Sequence, residues 1–271
     1  MEIRKPAVAG TFYPDNKSEL QEVINTHLNE NQTNFSAENI FGIVAPHAGY
    51  VYSGGTAASV YNLLKGKTYS TVIVVSPSHR AFFHGISIYQ GDAYETPLGI
   101  VEVDKELREK ISQSDSEIEI SDLGHGKEHA LEVQLPFLQT VLPEFKLLPI
   151  VIGDQSGAHV YNLAKKLSEF HSKDILIVAS SDLSHFYTRE KADEIDGIIE
   201  RHINNFDFEQ LQADLEIRKC EACGGGGIVA LMKAAKECGY NKSKVLQHTD
   251  SGDINGDTNE VVGYLSAVIY D

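Results

Sequence analysis

Three histidines follow short apolar runs, and this pattern predicts that they act together. The runs are continuous and mostly β-branched, which is typical of strands buried on both faces of a parallel sheet. The histidines that follow them are His47, His79 and His185. Because open α/β sheets bind ligands at the carboxyl ends of their strands, we expect the three imidazoles to face one crevice. Imidazole binds metals and transfers protons near neutral pH, so a metal site is predicted there.

Cys223 is a fourth candidate for the same site. It precedes the glycines at 224–227 and a run of helical composition that ends at Cys238. A thiol just before a helix N-terminus meets backbone N–H groups, which lower its pKa from about 8.5. The resulting thiolate would bind a soft or borderline metal such as copper or zinc. The alternative is a buried cysteine beside a tight turn, and the sequence favours neither interpretation.

The segments that position these residues predict one α/β domain over residues 1–271. His47 and His79 lie 32 residues apart, which suits one strand–helix–strand unit. We therefore expect their strands to be neighbours, about 4.8 Å apart. The connecting helix is expected over residues 56–64, after a glycine-rich turn, and a later helix from about residue 157 to 170. This alternation predicts a mixed, mainly parallel sheet with helices on both faces.

Composition limits the partners and the location of the chain. Its 39 acidic and 23 basic residues give a formal net charge of −16, which argues against nucleic acid and anionic membranes as partners. No apolar run approaches the ~20 residues of a membrane span, and the start lacks a signal-peptide pattern. Three cysteines in 271 residues favour reduced thiols. We therefore expect a cytoplasmic protein.

A second histidine pattern, His125-x-x-Glu128-His129, matches the inverted zincin motif. In that mechanism two imidazoles on one helix face bind zinc, and the glutamate acts as the base. Gly124 and Gly126 interrupt the required helix, and the helical pattern begins only near residue 130. A peptidase is therefore disfavoured.

Three polar residues beside the histidines are candidates for orientation or for substrate contact. Asp182 lies three residues before His185 and would orient that imidazole, or would only accept hydrogen bonds from loop amides. Tyr50 and Tyr52 would line the crevice and select a planar or phenolic ligand. The alternative for these tyrosines is a boundary position with a solvated hydroxyl.

Several segments, in order, resemble the Memo family over essentially the whole chain: RKPAVAGTFYP, APHAGYVYSG, SPSHR, EHALEVQLPFL, SSDLSH, CGGGGI and VVGYLSAVIY. That family is similar in fold to the class III extradiol ring-cleavage dioxygenases. Those enzymes hold non-haem Fe(II) with two histidines and a glutamate, and use a further histidine as acid and base. The resemblance implies that His47 and His79 are metal ligands and that His185 is catalytic. Cys223 stands where the dioxygenases have the carboxylate.

The resemblance also implies a place for two residues of the second histidine pattern. Glu128 and His129 would lie near the shared crevice, where they would orient the metal ligands or position a substrate. The alternative is that Glu128 only caps a helix and His129 packs behind it. The sequence leaves both interpretations open.

A thiolate in place of the carboxylate changes the expected chemistry. It shifts the metal preference towards softer ions and places an oxidisable sulfur at the site. Catechol cleavage therefore does not follow from the resemblance. We expect an iron- or copper-dependent oxidoreductase, with zinc as a further candidate metal. The alternatives are a non-catalytic module that binds a small molecule, peptide or phosphopeptide in the crevice and, more weakly, a zinc-dependent hydrolase.

Overall fold

The computed structural model describes residues 1–113 and 117–271. Its strands are β1 (Ile3–Arg4), β2 (Ile40–Ala45), β3 (Thr71–Pro77), β4 (Ile86–Tyr89), β5 (Ala93–Thr96), β6 (Gly99–Glu102), β7 (Ile118–Ser121), β8 (Lys146–Ile152), β9 (Ile175–Ser180), β10 (His185–Tyr187), β11 (Lys242–Asp250) and β12 (Val261–Tyr270). Its helices are α1 (Lys17–Glu30), α2 (Tyr50–Tyr61), α3 (Lys105–Gln113), α4 (Gln134–Val141), α5 (Gly157–Phe170), α6 (Arg189–Asn204), α7 (Phe208–Glu216), α8 (Gly225–Glu237) and α9 (Gly252–Asn255). A 3-10 turn (Asn62–Leu64) follows α2.

The main sheet is mixed, and its centre is parallel. Within the described residues its strand order is β10-β12-β2-β9-β3-β8-β4-β7, and β11 pairs with β12. Strands β2, β9, β3 and β8 run parallel, whereas β12 and β4 pair antiparallel with the two outer strands of this group. The prediction of a mixed α/β domain is confirmed. Because β2, β9 and β3 are parallel, their carboxyl ends meet at one edge of the sheet.

The prediction that the strands before His47 and His79 are neighbours is wrong. Strand β9 lies between them, with Ile177 paired to Gly42 on one side and to Ile73 on the other. A Cβ atom at Gly42 would lie 2.5 Å from the carbonyl oxygen of Ile177, so the glycine permits this close pairing. The loop after β9 therefore projects between the two histidine loops.

Helix α2 begins earlier than predicted, at Tyr50. The glycines that indicated a turn lie inside it. A Cβ atom at Gly54 would be 2.7 Å from Nε2 of His27 on α1, so the glycine serves helix–helix packing rather than a turn. The loop that carries His47 is therefore short and enters the helix directly.

Apolar clusters cover both faces of the sheet. One contains side chains of α5, α6 and α8 packed on the strands, with Ile177, Ile199 and Ile228 fully buried. The other contains side chains of α1, α2 and α4, with Leu20 and Phe137 among them. Burial on both faces explains why the central strands are continuous apolar runs. The predicted helix over residues 157–170 is confirmed as α5.

A smaller sheet, β1-β5-β6, lies outside the main one. Strands β5 and β6 form a hairpin, and β1 adds to β5 in parallel. Across residues 1–113 and 117–271, no helix combines the length and apolar character that a membrane crossing requires.

Candidate metal centre

The sheet edge brings together the side chains that were predicted as ligands. His47 follows β2, His79 follows β3, and Cys223 precedes α8, whose N-terminus points to the same edge. One donor atom from each of these residues lies within 4.8 Å of the others. The rings of His47 and His79 have centroids 5.2 Å apart, at an interplanar angle of 72°. The two imidazoles and the thiol therefore have the separations of a three-donor site for one ion.

Ser180 determines which nitrogen of His47 carries a lone pair. The Ser180 hydroxyl donates its only hydrogen to the carbonyl oxygen of Ala130 at 2.7 Å, and it lies 2.9 Å from Nδ1 of His47. Because that hydrogen is committed, the hydroxyl must accept from Nδ1–H, and Nε2 keeps the lone pair. Nε2 lies 3.2 Å from the Cys223 sulfur. Gln134 donates to the same hydroxyl at 2.8 Å and fixes its place.

Glu128 performs the same task for His79. Its Oε1 lies 2.9 Å from Nδ1 of His79, and the other oxygen accepts from the His79 backbone N–H. Burial raises the pKa of Glu128, but the hydrogen bonds from His79 and from backbone N–H groups outweigh this effect and lower it to about 2. The ionised carboxylate accepts from Nδ1–H, so Nε2 of His79 keeps the lone pair that can bind a metal.

A second group of potential ligands, Glu128, His129 and His79, shares one histidine with the first. Oε1 of Glu128 already accepts from the backbone N–H groups of His129 and Ala130, at 2.9 and 3.0 Å, as well as from Nδ1 of His79. Its oxygens are thus occupied by donors, and Glu128 is better suited to orient His79 than to bind an ion. The contact with His79 is the geometry that an orienting role requires, and the role itself stays a prediction.

His129 extends the imidazole cluster. Its ring stacks on that of His79 at 4.9 Å and 23°, lies edge-on to His47 at 5.5 Å, and contacts Phe12 on the other side. Its buried Nδ1 lacks a hydrogen-bond partner in the described part of the chain. His129 therefore belongs to the same cluster of rings as His47 and His79, and a role in positioning a substrate stays a prediction.

The environment of Cys223 opposes the fall in thiol pKa that the helix terminus alone predicts. Burial, reinforced by the nearby carboxyl of Asp182, raises the pKa of the thiol well above its usual range. The Asp182 backbone N–H donates to the sulfur at 3.2 Å, but this contact and the helix terminus do not offset the loss of water. Without an ion the residue is a thiol, and its S–H faces the lone pair on Nε2 of His47.

Asp182 contacts the backbone of His47. It accepts a hydrogen bond from the His47 backbone N–H at 2.7 Å, and its second oxygen lies 3.8 Å from Nε2 of His47. The sequence left two interpretations open: this geometry shows the hydrogen bond from a loop amide, and orientation of His185 stays a prediction.

His185 lies at the start of β10, where it pairs with Val262 of β12. It lines a cavity of about 420 Å³ together with Cys223, Leu183 and Leu215. Its charge, when present, acts on His47 and on Asp182. The cavity is thus lined by both the His185 and the Cys223 side chains.

The two tyrosines lie in different environments. Tyr50 is buried between Tyr13 and Phe137, and its hydroxyl donates to the carbonyl oxygen of Val133 at 2.7 Å. Tyr52 is exposed on the first turn of α2. The structure therefore leaves Tyr52 accessible to a ligand and directs Tyr50 into the core; a role in ligand selection stays a prediction for both.

The inverted zincin geometry does not form, because His125 points away from the crevice. Its Nδ1 lies 2.7 Å from the Tyr94 hydroxyl, and its Nε2 lies 3.3 Å from the Ser87 carbonyl oxygen. Helix α4 begins only at Gln134, beyond the motif.

We expect Glu128→Gln to weaken metal binding by about 10- to 100-fold, the usual effect of losing a partner that orients a ligand. An amide cannot accept from both the backbone N–H and the Nδ1–H of His79, so the ring would lose its fixed orientation. Competition with a chromophoric chelator measures the affinity. Glu22→Gln, on the exposed side of α1, is the matched control, and equal affinities for the two variants would contradict the assigned role.

Comparison with known proteins gives consistent results. A family profile described as "Memo-like protein" matches residues 4–268. Relatives named "MEMO1 family protein" include those of Nitrosopumilus maritimus, 39% identical over 97% of this chain and 98% of its own, and Aquifex aeolicus, 38% identical over 99% of both. A solved structure of an uncharacterized protein from Escherichia coli K12 superposes with a TM-score of 0.57 at 14% identity, covering 84% of this chain and 98% of that one. This last likeness concerns the fold alone.

Proposed function

Because the chain belongs to the Memo family, we propose that it is a metal-dependent oxidoreductase whose ion is bound by His47, His79 and Cys223. The observation that carries the proposal is the convergence of three donor atoms within 4.8 Å. In both histidines, a partner occupies Nδ1 and leaves Nε2 free. Such orientation by fixed acceptors is typical of metal-binding imidazoles.

The donor set favours iron or copper over harder ions. Two imidazoles and one thiolate suit copper, iron or zinc, whereas magnesium and calcium prefer oxygen ligands. Bound iron or copper would supply one-electron redox chemistry. Zinc in the same position would instead favour hydrolysis.

The other residues of the crevice have roles that do not depend on the identity of the ion. His185 is proposed as the proton-transfer group, because its ring borders the cavity that reaches Cys223. Asp182 fixes the His47 loop through the backbone. The cavity of about 420 Å³ is within the range of small-molecule sites. The chain has a net charge of −16, so we propose that its ligand is a small molecule or a peptide rather than nucleic acid or a membrane. We also propose that the protein is cytoplasmic.

The test is metal content and affinity of the native chain and of a His47→Ala/His79→Ala variant. The native protein is expected to bind one iron or copper ion. The variant should bind it at least about 1,000-fold more weakly, since loss of a single orienting partner already costs about 10- to 100-fold. His84→Ala is the matched control, because that imidazole is exposed and pairs with Asp154 outside the cluster. Circular dichroism verifies that each variant is folded.

A second measurement addresses redox chemistry. The bound metal should take up one electron from an added one-electron reductant under anaerobic conditions and return it to an added oxidant, as followed by its absorption spectrum. Stoichiometric binding of zinc alone would replace the oxidoreductase with a hydrolase. A folded native chain that binds no metal, yet retains a peptide ligand in strong chelator, would instead indicate a binding module.

A further inference from the structure

We infer that His248 is a positioning residue for the site: paired with Asp196, it fixes the loop that carries Asp182 and His185. The expected effect of His248 on activity rests on the proposed function. The structural part concerns only the loop and can be tested on the metal-free chain.

Asp196 connects helix α6 to this loop. Its side chain is buried, and its Oδ1 accepts a hydrogen bond from the Ser184 backbone N–H at 3.0 Å. Ser184 immediately precedes His185. The loop is therefore tied to α6 by a charged acceptor, which makes a stronger hydrogen bond than a neutral one.

Gly263 on β12 makes room for this carboxylate. A Cβ atom at Gly263 would lie 1.9 Å from Oδ2 of Asp196, so a side chain there would displace it. The same glycine binds the loop through its backbone: its N–H donates to the Ser184 carbonyl oxygen at 3.0 Å, and its carbonyl accepts from Leu183 at 2.8 Å. The loop is thus held from both sides, by β12 and by Asp196.

His248 supplies the positive charge that this arrangement requires. Its Nδ1 lies 2.9 Å from a carboxylate oxygen of Glu200, and its Nε2 lies 3.9 Å from Oδ2 of Asp196. Both acids are on α6, and the imidazole on β11 lies against both of them. A buried carboxylate without a cation is costly, because it loses its hydration without compensation.

Beside His248, the cation Arg189 is engaged by acids other than Asp196 and Glu200. Arg189 and Asp193 of α6, with Asp250 and Asp253, line a cavity of about 230 Å³ beside it. Arg189 is bonded to Asp250 and Asp253, at 2.6 and 2.8 Å. Across the strand pair, His248 faces the apolar Leu265 of β12. His248 is therefore the cation next to Asp196.

This environment keeps His248 charged at neutral pH. Burial lowers the pKa of the imidazole, but the carboxylates of Asp196 and Glu200 outweigh it and raise the pKa to about 9. As the pH rises through that value, His248 becomes neutral and Asp196 loses its counter-charge. The hydrogen bond to Ser184 should then change with the same midpoint.

The test follows the Ser184 amide resonance of the metal-free chain by NMR from pH 7 to 10.5. In the native protein we expect a transition near pH 9. It should be absent in His248→Gln and should move well above pH 9 in His248→Lys, because the ordinary lysine pKa is about 10.4 and the same carboxylates favour the charged amine. His202→Gln is the matched control, because His202 is also on α6 but pairs with Asp214 of α7 at 2.9 Å. That variant should retain the native transition.

The outcomes distinguish the positioning role of His248 from a loss of folding and from a failure of the proposed function. If His248→Gln does not fold, the shifted midpoint in His248→Lys still tests the inference. A Ser184 resonance without a transition near pH 9, or an unchanged transition in His248→Lys, would overturn it. In the metal-loaded protein, an activity that falls with the same midpoint would link the loop to catalysis. A normal Ser184 transition in a chain whose bound metal cannot be reduced and reoxidised would refute the oxidoreductase alone.

Discussion

Replacement of Arg4 by methionine is expected to lower the free energy of unfolding by about 3–5 kcal/mol, because it leaves a buried carboxylate without its cation. Arg4 forms an ion pair with Glu132, and the two side chains are 5% and 0% exposed. Glu132 also accepts from the Tyr13 hydroxyl and from the Ala7 and Val8 backbone N–H groups. It would keep those donors but not the positive charge.

The same substitution is expected to disturb the metal centre. The Arg4 guanidinium donates to the carbonyl oxygens of His125 and Glu128, so it holds the segment in which Glu128 orients His79. The loss of Arg4 therefore removes a support from that ligand as well as the counter-charge of Glu132. Weaker metal binding should accompany the lower stability.

Urea denaturation of the metal-free chain measures the effect on stability. Lys5→Met is the matched control, since Lys5 is next in sequence and pairs with Glu95 while its side chain is 70% exposed; such surface pairs contribute about 0–1 kcal/mol. Arg4→Met/Glu132→Gln should be less destabilised than the sum of the two single variants, because the unpaired charge is gone. An Arg4→Met protein as stable as the Lys5→Met protein would refute this account.

Features determined by local pattern were predictable from the sequence. The apolar runs before His47 and His79 became buried central strands because both faces of the sheet are covered. The amphipathic spacing over residues 157–170 became α5, whose apolar side packs on one face of the sheet. The position of each histidine after a strand then followed from the direction of the parallel strands.

Features determined by contacts distant in sequence were not predictable. The insertion of β9 between β2 and β3 depends on the close approach of Gly42 to Ile177, and a glycine in a strand does not reveal which strand it will meet. Ser180 orients His47 over 133 positions of sequence. The serine within SSDLSH offered a signal, since a hydroxyl at the end of an apolar strand needs a partner.

The pKa of Cys223 was not predictable for a different reason. The position before a helix was predicted correctly, and the expected fall in thiol pKa followed from the helix terminus alone. Burial and the carboxyl of Asp182 act in the opposite direction and prevail. Sequence indicates the nearby helix but not the depth of the sulfur, and desolvation of a buried group can exceed the effect of a helix terminus.

Metal affinity is therefore expected to rise with pH because of Cys223. Burial and Asp182 raise the pKa of the thiol, so an ion that binds the sulfur must release its proton at neutral pH. Burial, with the neighbouring imidazoles, lowers the pKa of His47 well below its usual range, so this ligand releases none. With one proton released per ion, affinity should increase about tenfold per pH unit, or roughly 30-fold from pH 7 to 8.5.

Zn²⁺ is a suitable probe for this measurement, because it does not oxidise the thiol. Competition with a chelator of known protonation constants gives the affinity, and calorimetry in buffers of different ionisation enthalpy counts the released protons. Cys223→Ala should bind more weakly and with less dependence on pH, since it lacks the thiol proton and since burial lowers the pKa of His47. An affinity of the native chain that is equal at pH 7 and 8.5 would show that the sulfur is either not a ligand or already a thiolate. In both cases, binding of the ion would displace no S–H proton from the contact between Cys223 and Nε2 of His47.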